Sequence, residues 1–387
     1  MNILFVNNFF PIFAQSNCGA SQRSMRLIKA LAKIGHVDVI SFAGETISNV
    51  ANVDVVFSDE VYESIESNGR IEKFTKLFKI KSPEILYPTC KQKERIVDEI
   101  VKQKQYDFIV TRYIHYACYC GLLKYADRLI IDMDDDPKDV ILMSLDKVRS
   151  FRNKLYTFLY AHTIDSITKY ICRKVHHIFY SSPTKAYPNA SFLPNISIFE
   201  ESLPLVDFAK QDDKILVVGW FSYLPNIEGL THFVEKVFPL IRDKIPTATL
   251  EVVGKMTEAS LIEQCKKVDC VHVHGFVEDL KEAYLQCKCV VVPLYRGTGT
   301  SVKLVEAMSL GRSVVATSNG LRGLHSGFVS GEDFLSATND EEFANNVISL
   351  LQDEKKNKEI AKSALLKIQQ YYSVESFNLI VQKIFFK

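Results

Sequence analysis

The feature that most restricts this chain is an alternation carried through both of its halves. Short apolar runs that stop at polar or turn residues are separated by stretches of helical spacing. Ile3 to Val6 ends at Asn7-Asn8. Met25 to Lys33 then sets Leu27, Ile28, Leu31 and Ala32 at helical spacing, Gly35 stops it, and VDVISF follows. DFIVT at 107–111, RLIID at 128–132 and HHIFYSS at 176–182 continue the series. The second half repeats it with KILVVGW at 214–220, ATLEVVG at 248–254, CVHVHG at 270–275, KCVVVPL at 288–294 and SVVAT at 313–317. Strands of this kind joined by helices predict parallel sheets covered on both faces, an α/β fold. At 387 residues the chain suits two such domains, and the irregular acidic stretch 195–213, NISIFEESLPLVDFAKQDD, is the expected boundary. Two doubly wound domains would face each other across a cleft, with the carboxyl ends of their strands as the active surfaces.

Composition removes several function classes. The 47 basic and 46 acidic side chains nearly cancel, so no global field gathers nucleic acid. The 9 cysteines, Cys18, Cys90, Cys118, Cys120, Cys172, Cys265, Cys270, Cys287 and Cys289, have no CxxC spacing and read as reduced, mostly buried small hydrophobes. The 9 histidines form no HExxH, and His176-His177 and His272/His274 fall in strand patterns. MNILFVNN has no basic leader, and no apolar run reaches the roughly eighteen residues of a membrane span, so a cytoplasmic location is expected.

Chemistry concentrates in PLYRGTGTSVKLVEAM, Pro293 to Met308, a turn from a strand into a helix expected over Ser301 to Leu310. Gly297 and Gly299 remove the Cβ atoms that would obstruct a phosphate, and Thr300 or Ser301 is placed to cap the helix. The N–H groups of the first turn, with the helix dipole, suit a diphosphate. Lys303 and Glu306 lean to nearly the same face. A lysine there opposes the dipole and makes sense facing a phosphate; Glu306 is placed to accept from a vicinal diol. The plain alternative is a capped helix with a solvent-facing Lys–Glu pair.

The first half has a looser counterpart, a long loop NNFFPIFAQSNC and then Gly19-Ala20-Ser21-Gln22-Arg23 opening a helix. It is not GxGxxG, which argues against a nicotinamide enzyme. Gly19 and Arg23 could still approach a phosphate or sugar from the opposite domain, or form a plain loop into a capped helix. IIDMDDDP places Asp132, Asp134, Asp135 and Asp136 just past a strand, as a metal cluster, a proton acceptor or a helix cap. Residues 147–174 carry Lys147, Arg149, Arg152, Lys154, Lys169, Arg173 and Lys174 against Asp165, interleaved with Phe151, Leu155, Tyr156, Phe158, Leu159 and Tyr160. That pattern fits either an anionic membrane surface or a domain helix with a charged outer face.

These motifs resemble those of the retaining GT-B glycosyltransferases of family 4, especially bacterial members that assemble surface polysaccharides. PLYRGTGTSVKLVEAMSLGRSVVAT carries the resemblance most strongly, followed by VVGWFSYLPNIEGLTHFVEKVFPLIR, EVVG and VHVHGFVEDLKEAYLQC. It implies an acceptor-binding domain over 1–200, a linker over 201–213, a nucleotide-sugar-binding domain over 214–365, and a terminal helix over 366–387 packing back on the first domain. Glu306 matches the second glutamate of the family's paired motif and would hold the ribose. The first glutamate falls at Thr298, a departure expected to alter donor-sugar contacts. The family's phosphate-gripping Arg and Lys are missing from WFSYLPNIEG, so Arg296 and Lys303 would take over, with Gly297, Thr298, Gly299, Thr300, Ser301 and Val302 around the diphosphate. Asp132 or Asp134 would orient the acceptor hydroxyl.

The implied donor is a UDP- or GDP-sugar, with no metal or other cofactor required. The DxD metal reading of the acidic cluster belongs to the other major glycosyltransferase architecture. The implied acceptor is a glycan or a polyprenyl-diphosphate-linked oligosaccharide at the inner face of the membrane. A nucleotide-sugar epimerase of the same fold is the rival enzyme. A non-catalytic carbohydrate-binding scaffold subunit, suggested by Thr298 and the missing basic pair, is the rival outside catalysis.

Overall fold

The structure, a computed structural model, describes residues 1–8, 12, 19–44, 50–61, 87–145, 150–181, 187, 189–199, 201–256, 259–297 and 300–386. The chain divides into two compact units, residues 1–194 with 377–387, and residues 195–376.

In the first unit the chain runs β1 (Asn2–Asn7), α1 (Gly19–Ala32), β2 (His36–Ser41), β3 (Val53–Ser58), α2 (Lys91–Gln103), β4 (Phe108–Arg112), α3 (Ile114–Tyr119), β5 (Leu129–Asp134), α4 (Pro137–Met143), α5 (Phe151–Cys172), β6 (His177–Tyr180) and β7 (Ala190–Phe192). The strands form one parallel sheet in the order β3-β2-β1-β4-β5-β6-β7, with β1 set between β2 and β4 in register Phe5↔Val39 and Phe5↔Val110. Helices flank the sheet, which is why β1 reads as an unbroken apolar run: Ile3, Leu4, Phe5 and Val6 are all buried. One core gathers Leu4, Val6, Ile40, Ile109, Ile131 and Ile178. Phe385, near the chain end, packs edge-on against Phe108 with ring centroids 4.8 Å apart.

The second unit runs β8 (Lys214–Val218), α6 (Leu224–His232), α7 (Phe238–Lys244), β9 (Thr249–Val253), α8 (Ala259–Lys266), β10 (Val271–Gly275), α9 (Leu280–Gln286), β11 (Cys289–Val292), α10 (Val302–Ser309), β12 (Val314–Thr317), β13 (Leu335–Ala337), α11 (Asp340–Gln352), α12 (Glu354–Tyr371) and α13 (Val374–Phe385), whose last residues belong to the first unit. Its sheet is also parallel, in the order β10-β9-β8-β11-β12-β13. Ile215, Val217, Leu250, Val252, Val291 and Val315 supply the strand side of its core, and Phe233, Phe238 and Phe343 the helix side.

The expected α/β class is therefore the observed one, with strands where the buried runs stand. Three further strands, β3, β7 and β13, went unread. β3 is an edge strand with little burial, and β7 and β13 have three residues each, so none carries the continuous apolar signal of an inner strand.

Winding reverses direction once in each sheet, between β1 and β4 and between β8 and β11. Loops diverge above such a point and leave room for a ligand at the carboxyl ends of the strands. In the second unit the space depends on Gly229 in α6, where an added Cβ would stand 2.0 Å from the carbonyl oxygen of Pro293, just past β11. Only a residue without a side chain lets α6 come that close. Gly229→Ala is expected to destabilise the protein by about 1–3 kcal/mol through this overpacking, read as a lower denaturant midpoint with an unchanged m-value.

Candidate functional site

The loops above the β8/β11 reversal bring together most of the residues singled out in the second half. α10 begins at Val302, and Ser301 takes the N-cap position with extended backbone. Its hydroxyl does not cap the helix: it is buried, 3% exposed for the residue, and has no hydrogen-bond partner among the described residues. Ser301 closes the first turn through its backbone carbonyl, which accepts from the Leu304 N–H at 3.1 Å. Thr300 is buried beside it, and Val302 is half-buried in the first turn. Thr298 and Gly299 lie outside the described residues.

Lys303 is not a solvent-facing lysine. It is half-buried, and its Nζ donates to Asn226 Oδ1 at 2.6 Å. Asn226, buried in α6, donates through Nδ2 to the carbonyl of Trp220 at 2.8 Å. The loop after β8 and the helix after β11 are thus linked across the reversal by one amide side chain. Trp220 itself is 63% exposed.

Burial lowers the Lys303 ammonium to about 7, helped by the charge of Arg322 and opposed by Glu306. Burial likewise raises the Glu306 carboxyl to about 7, against the pull of Lys303. Two groups three residues apart on one helix face therefore titrate near neutrality. Arg296 points its guanidinium at Glu228 and donates from Nε and Nη2 to the two carboxylate oxygens. Gly297, beside it, has φ +143°, a conformation side chains rarely adopt.

Of the residues expected in the first half, Arg23, Asp132 and Asp134 meet at the carboxyl ends of β4 and β5, where they serve one another. Arg23, from α1, grips Asp132 from both sides, Nε to Oδ2 and Nη2 to Oδ1, each at 2.7 Å. It also donates to the carbonyls of Leu193 and Pro194 at 3.0 and 3.2 Å. Arg112 Nε adds a third bond to Asp132 Oδ2 at 3.0 Å, while its Nη2 reaches Asp134 Oδ2 at 2.8 Å. Asp132 and both guanidiniums are closed to solvent; Asp134 keeps 16% of its side chain exposed. Of the two carboxylates expected near an acceptor, only Asp134 reaches the surface. Gly19 opens α1 and is exposed.

Asp134 and Tyr113 have φ +56° and +63°, left-handed backbone that costs an ordinary residue energy and persists where the surroundings over-determine it. Asp132 anchors this geometry by accepting the Tyr113 N–H on its carbonyl at 2.9 Å. Tyr113 lies under the Arg112 guanidinium at 4.8 Å and starts an aromatic cluster with His115 and Tyr116. Burial lowers His115 to about 4, so its ring is neutral at pH 7. At the end of the acidic cluster, Asp136 caps α4 through Lys138 N at 2.8 Å. Among the described residues, three ligand-type side chains gather within 4.8 Å elsewhere, on His36, Asp38 and Asp54, and there Lys104 and Tyr106 already donate to Asp38 Oδ2.

Sequence reading passed over Asn226, Arg112, Tyr113 and Arg322. Arg322 had a readable signal: SNGLRGL follows SVVAT as RGTGT follows VVVPL, with two glycines at the carboxyl end of a strand.

A family described as "Glycosyl transferases group 1" matches residues 212–353. An "uncharacterized 44.6 kDa protein in cps region" of Klebsiella pneumoniae is 28% identical over 167 residues, covering 41% of this chain and 42% of that one. The chain thus matches less than half the length of that relative. Anabaena HepE, in complex with UDP and glucose, superposes with TM-score 0.64 at 14% identity, covering 100% of this chain and 99% of that one. Sucrose-phosphate synthase of Thermosynechococcus elongatus does so with TM-score 0.68 at 17% identity, covering 99% and 98%. WaaG, a glycosyltransferase involved in lipopolysaccharide biosynthesis, gives 0.63 at 13%, covering 98% and 99%. The fold is GT-B. At these identities the likeness carries the architecture of two Rossmann-like lobes.

The neutral-range pair has a consequence for stability. Between the ordinary carboxyl value of 4.5 and about 7, the folded chain keeps a proton on Glu306 that the unfolded chain releases, so this contribution falls as pH rises. Between about 7 and the ordinary lysine value of 10.5, the unfolded chain keeps a proton on Lys303 that the folded chain has lost, so stability recovers. Glu306→Gln is expected to remove the first limb. Unfolding free energies from denaturant titrations at pH 5 to 7 should fall for the wild type relative to the variant, by on the order of 2 kcal/mol. Parallel curves would contradict this assignment.

Proposed function

We propose that this protein is a retaining glycosyltransferase that moves a sugar from a UDP- or GDP-sugar to a glycan or lipid-linked oligosaccharide in surface polysaccharide synthesis. One observation carries the reading. At the sheet reversal of the second unit, a helix N-terminus whose buried Ser301 hydroxyl has no hydrogen-bond partner among the described residues stands beside a half-buried Lys303, and Glu306 follows one turn later. The N–H groups, hydroxyl and ammonium suit a diphosphate, and a carboxylate one turn along suits a ribose diol. The "Glycosyl transferases group 1" match over 212–353 spans these residues. HepE is described with UDP and glucose, WaaG with lipopolysaccharide biosynthesis, and the Klebsiella relative with a cps region, which supports the donor class and the polysaccharide setting.

In a front-face displacement the bond from the anomeric carbon to the diphosphate breaks as the acceptor oxygen joins on the same face, and the acceptor proton passes to a leaving phosphate oxygen. The chain's task is to stabilise the charge growing on that diphosphate. The first turn of α10 and Lys303 do this, and binding the dianion favours the charged ammonium. Asp134 is the first-unit carboxylate to orient the acceptor hydroxyl, with Asp132 and Arg23 fixing the backbone beneath it. The mechanism requires no metal.

A panel of UDP- and GDP-sugars, with and without polyprenyl-diphosphate acceptors, followed by mass spectrometry, tests this. Transfer or slow hydrolysis from one donor is expected, with Lys303→Ala about 100-fold slower, close to the loss of one transition-state donor group. A free isomer formed without acceptor would identify an epimerase. Donor binding without turnover on any acceptor would favour a scaffold. An inverted product anomer by NMR would overturn retention.

A peripheral membrane contact fits α5. Its later turns are buried through Ile164, Ile167 and Ile171, but its first turns expose Phe151 (82%), Leu155 (51%), Phe158 (46%) and Leu159 (42%) on one stripe, beside Arg152 and Lys154. Lys147 and Arg149 of the same basic stretch lie outside the described residues. Among those described, no helix is long and apolar enough to cross a membrane. An apolar stripe with basic flanks suits an anionic lipid surface. The protein is expected to float with phosphatidylglycerol vesicles at low salt, and Phe151→Ser with Leu155→Ser to abolish flotation; wild-type protein left in the pellet fraction would refute the contact.

A further inference from the structure

We propose that Arg322 is the second diphosphate-binding cation of the nucleotide-sugar site, in the role that the sequence assigns to Arg296. This rests on the donor reading above.

Arg322 stands on the loop after β12, which lies against the loop after β11 along its length. A Cβ on Gly320 would meet the Val292 carbonyl oxygen at 2.6 Å. Thr317 Oγ1 donates to the Leu294 carbonyl and accepts from the Gly320 N–H at 3.1 Å. Gly323, at φ +77°, brings its Cα so near Thr300 that a Cβ would stand 2.4 Å from Oγ1, and the Ser301 N–H points to the Arg322 carbonyl at 3.4 Å. Between these contacts the Arg322 side chain has little freedom. Its guanidinium rests on Gly297, where a Cβ would lie 2.5 Å from Nη2, and Nη1 donates to the Asn319 carbonyl at 2.9 Å.

Arg296 is already committed to a carboxylate. The carboxylate of Glu228 accepts both bonds from Arg296, making a neutral pair. Arg322 stands close enough to Lys303 to oppose its protonation, and the nearby Glu306 is itself held toward its neutral form by burial. The Arg322 guanidinium stands against Gly297, in the turn that leads to α10, and the Arg322 carbonyl faces the Ser301 N–H, so a dianion at that helix start meets the guanidinium charge together with that of Lys303. A planar guanidinium also meets two phosphate oxygens at once, which an ammonium cannot. Glycine suits position 297 because φ +143° is strained for a side chain and a Cβ there would have to push the guanidinium aside. An arginine that merely braces two loops is the competing explanation.

Titration calorimetry with inorganic pyrophosphate, UDP and GDP separates them, on wild type, Arg322→Gln and Arg322→Lys, with thermal midpoints recorded alongside. Arg322→Gln is expected to weaken pyrophosphate and the accepted nucleoside diphosphate at least tenfold at low salt and to flatten the salt dependence, while keeping the wild-type midpoint. Arg322→Lys should recover part of the affinity. Equal affinities for wild type and the Gln variant would overturn the proposal and leave the donor reading standing. A Lys variant that binds no better than Gln, with both midpoints lowered, would make Arg322 a brace. If Arg322→Gln does not fold, Arg322→Lys decides: severalfold weaker pyrophosphate binding supports the fork, and unchanged affinity refutes it. A wild-type protein that binds none of the three ligands would overturn the donor reading itself.

Discussion

A parallel sheet that reverses its winding must part its loops, and much of this chain's chemistry follows from that constraint. The reversal lies between β1 and β4 in one sheet and between β8 and β11 in the other. Strands on either side feed helices to opposite faces, so their carboxyl ends open upward with no connection passing between them. In the second unit the space is shaped by close backbone approach, Gly229 on Pro293 and Gly320 on Val292, and is tied by the Lys303–Asn226–Trp220 chain. Rigid strand ends hold groups that would wander on a free loop.

Equivalent positions in the two units are treated in opposite electrostatic ways. Above β4 and β5 the charges are closed in pairs: Arg23 and Arg112 face Asp132 and Asp134, and Arg23 also donates to two backbone carbonyls. Removing one member of such a buried set leaves the others desolvated without compensation, so the cluster acts as a fastening. Above β11 and β12 charge is instead held back: burial shifts both Lys303 and Glu306 toward neutrality, and the charge of Arg322 adds to the shift of Lys303. A closed set of pairs preserves shape, whereas a lysine held short of its charge regains it when an anion arrives.

Inner strands were legible because burial on both faces writes an uninterrupted apolar run, as in ILFV and VVV. β3, β7 and β13 sit at or near sheet edges and write little. The helix after RGTGT and the shared face of Lys303 and Glu306 were legible from spacing alone. The partners of charged residues were not. Arg23 and Asp132 are 109 positions apart and Arg296 and Glu228 are 68 apart, so nothing local records that they neutralise each other. Arg322 was obscured for the same reason, because its importance arises from a neighbouring loop. The hydroxyl of Ser301 departs from its expected capping role although the residue holds the N-cap position.

Trp220 gives the chain an optical property. It is the 1 tryptophan of the sequence, largely exposed, and its carbonyl is held by the amide that also holds Lys303. Indole emission depends on the polarity around the ring, and here it comes from one known place, two bonds of a hydrogen-bonded chain away from the ammonium. Excited at wavelengths that the 17 tyrosines do not absorb, the emission is therefore a local signal from the rim of one loop, and the molecule carries its own label where its chemistry is concentrated.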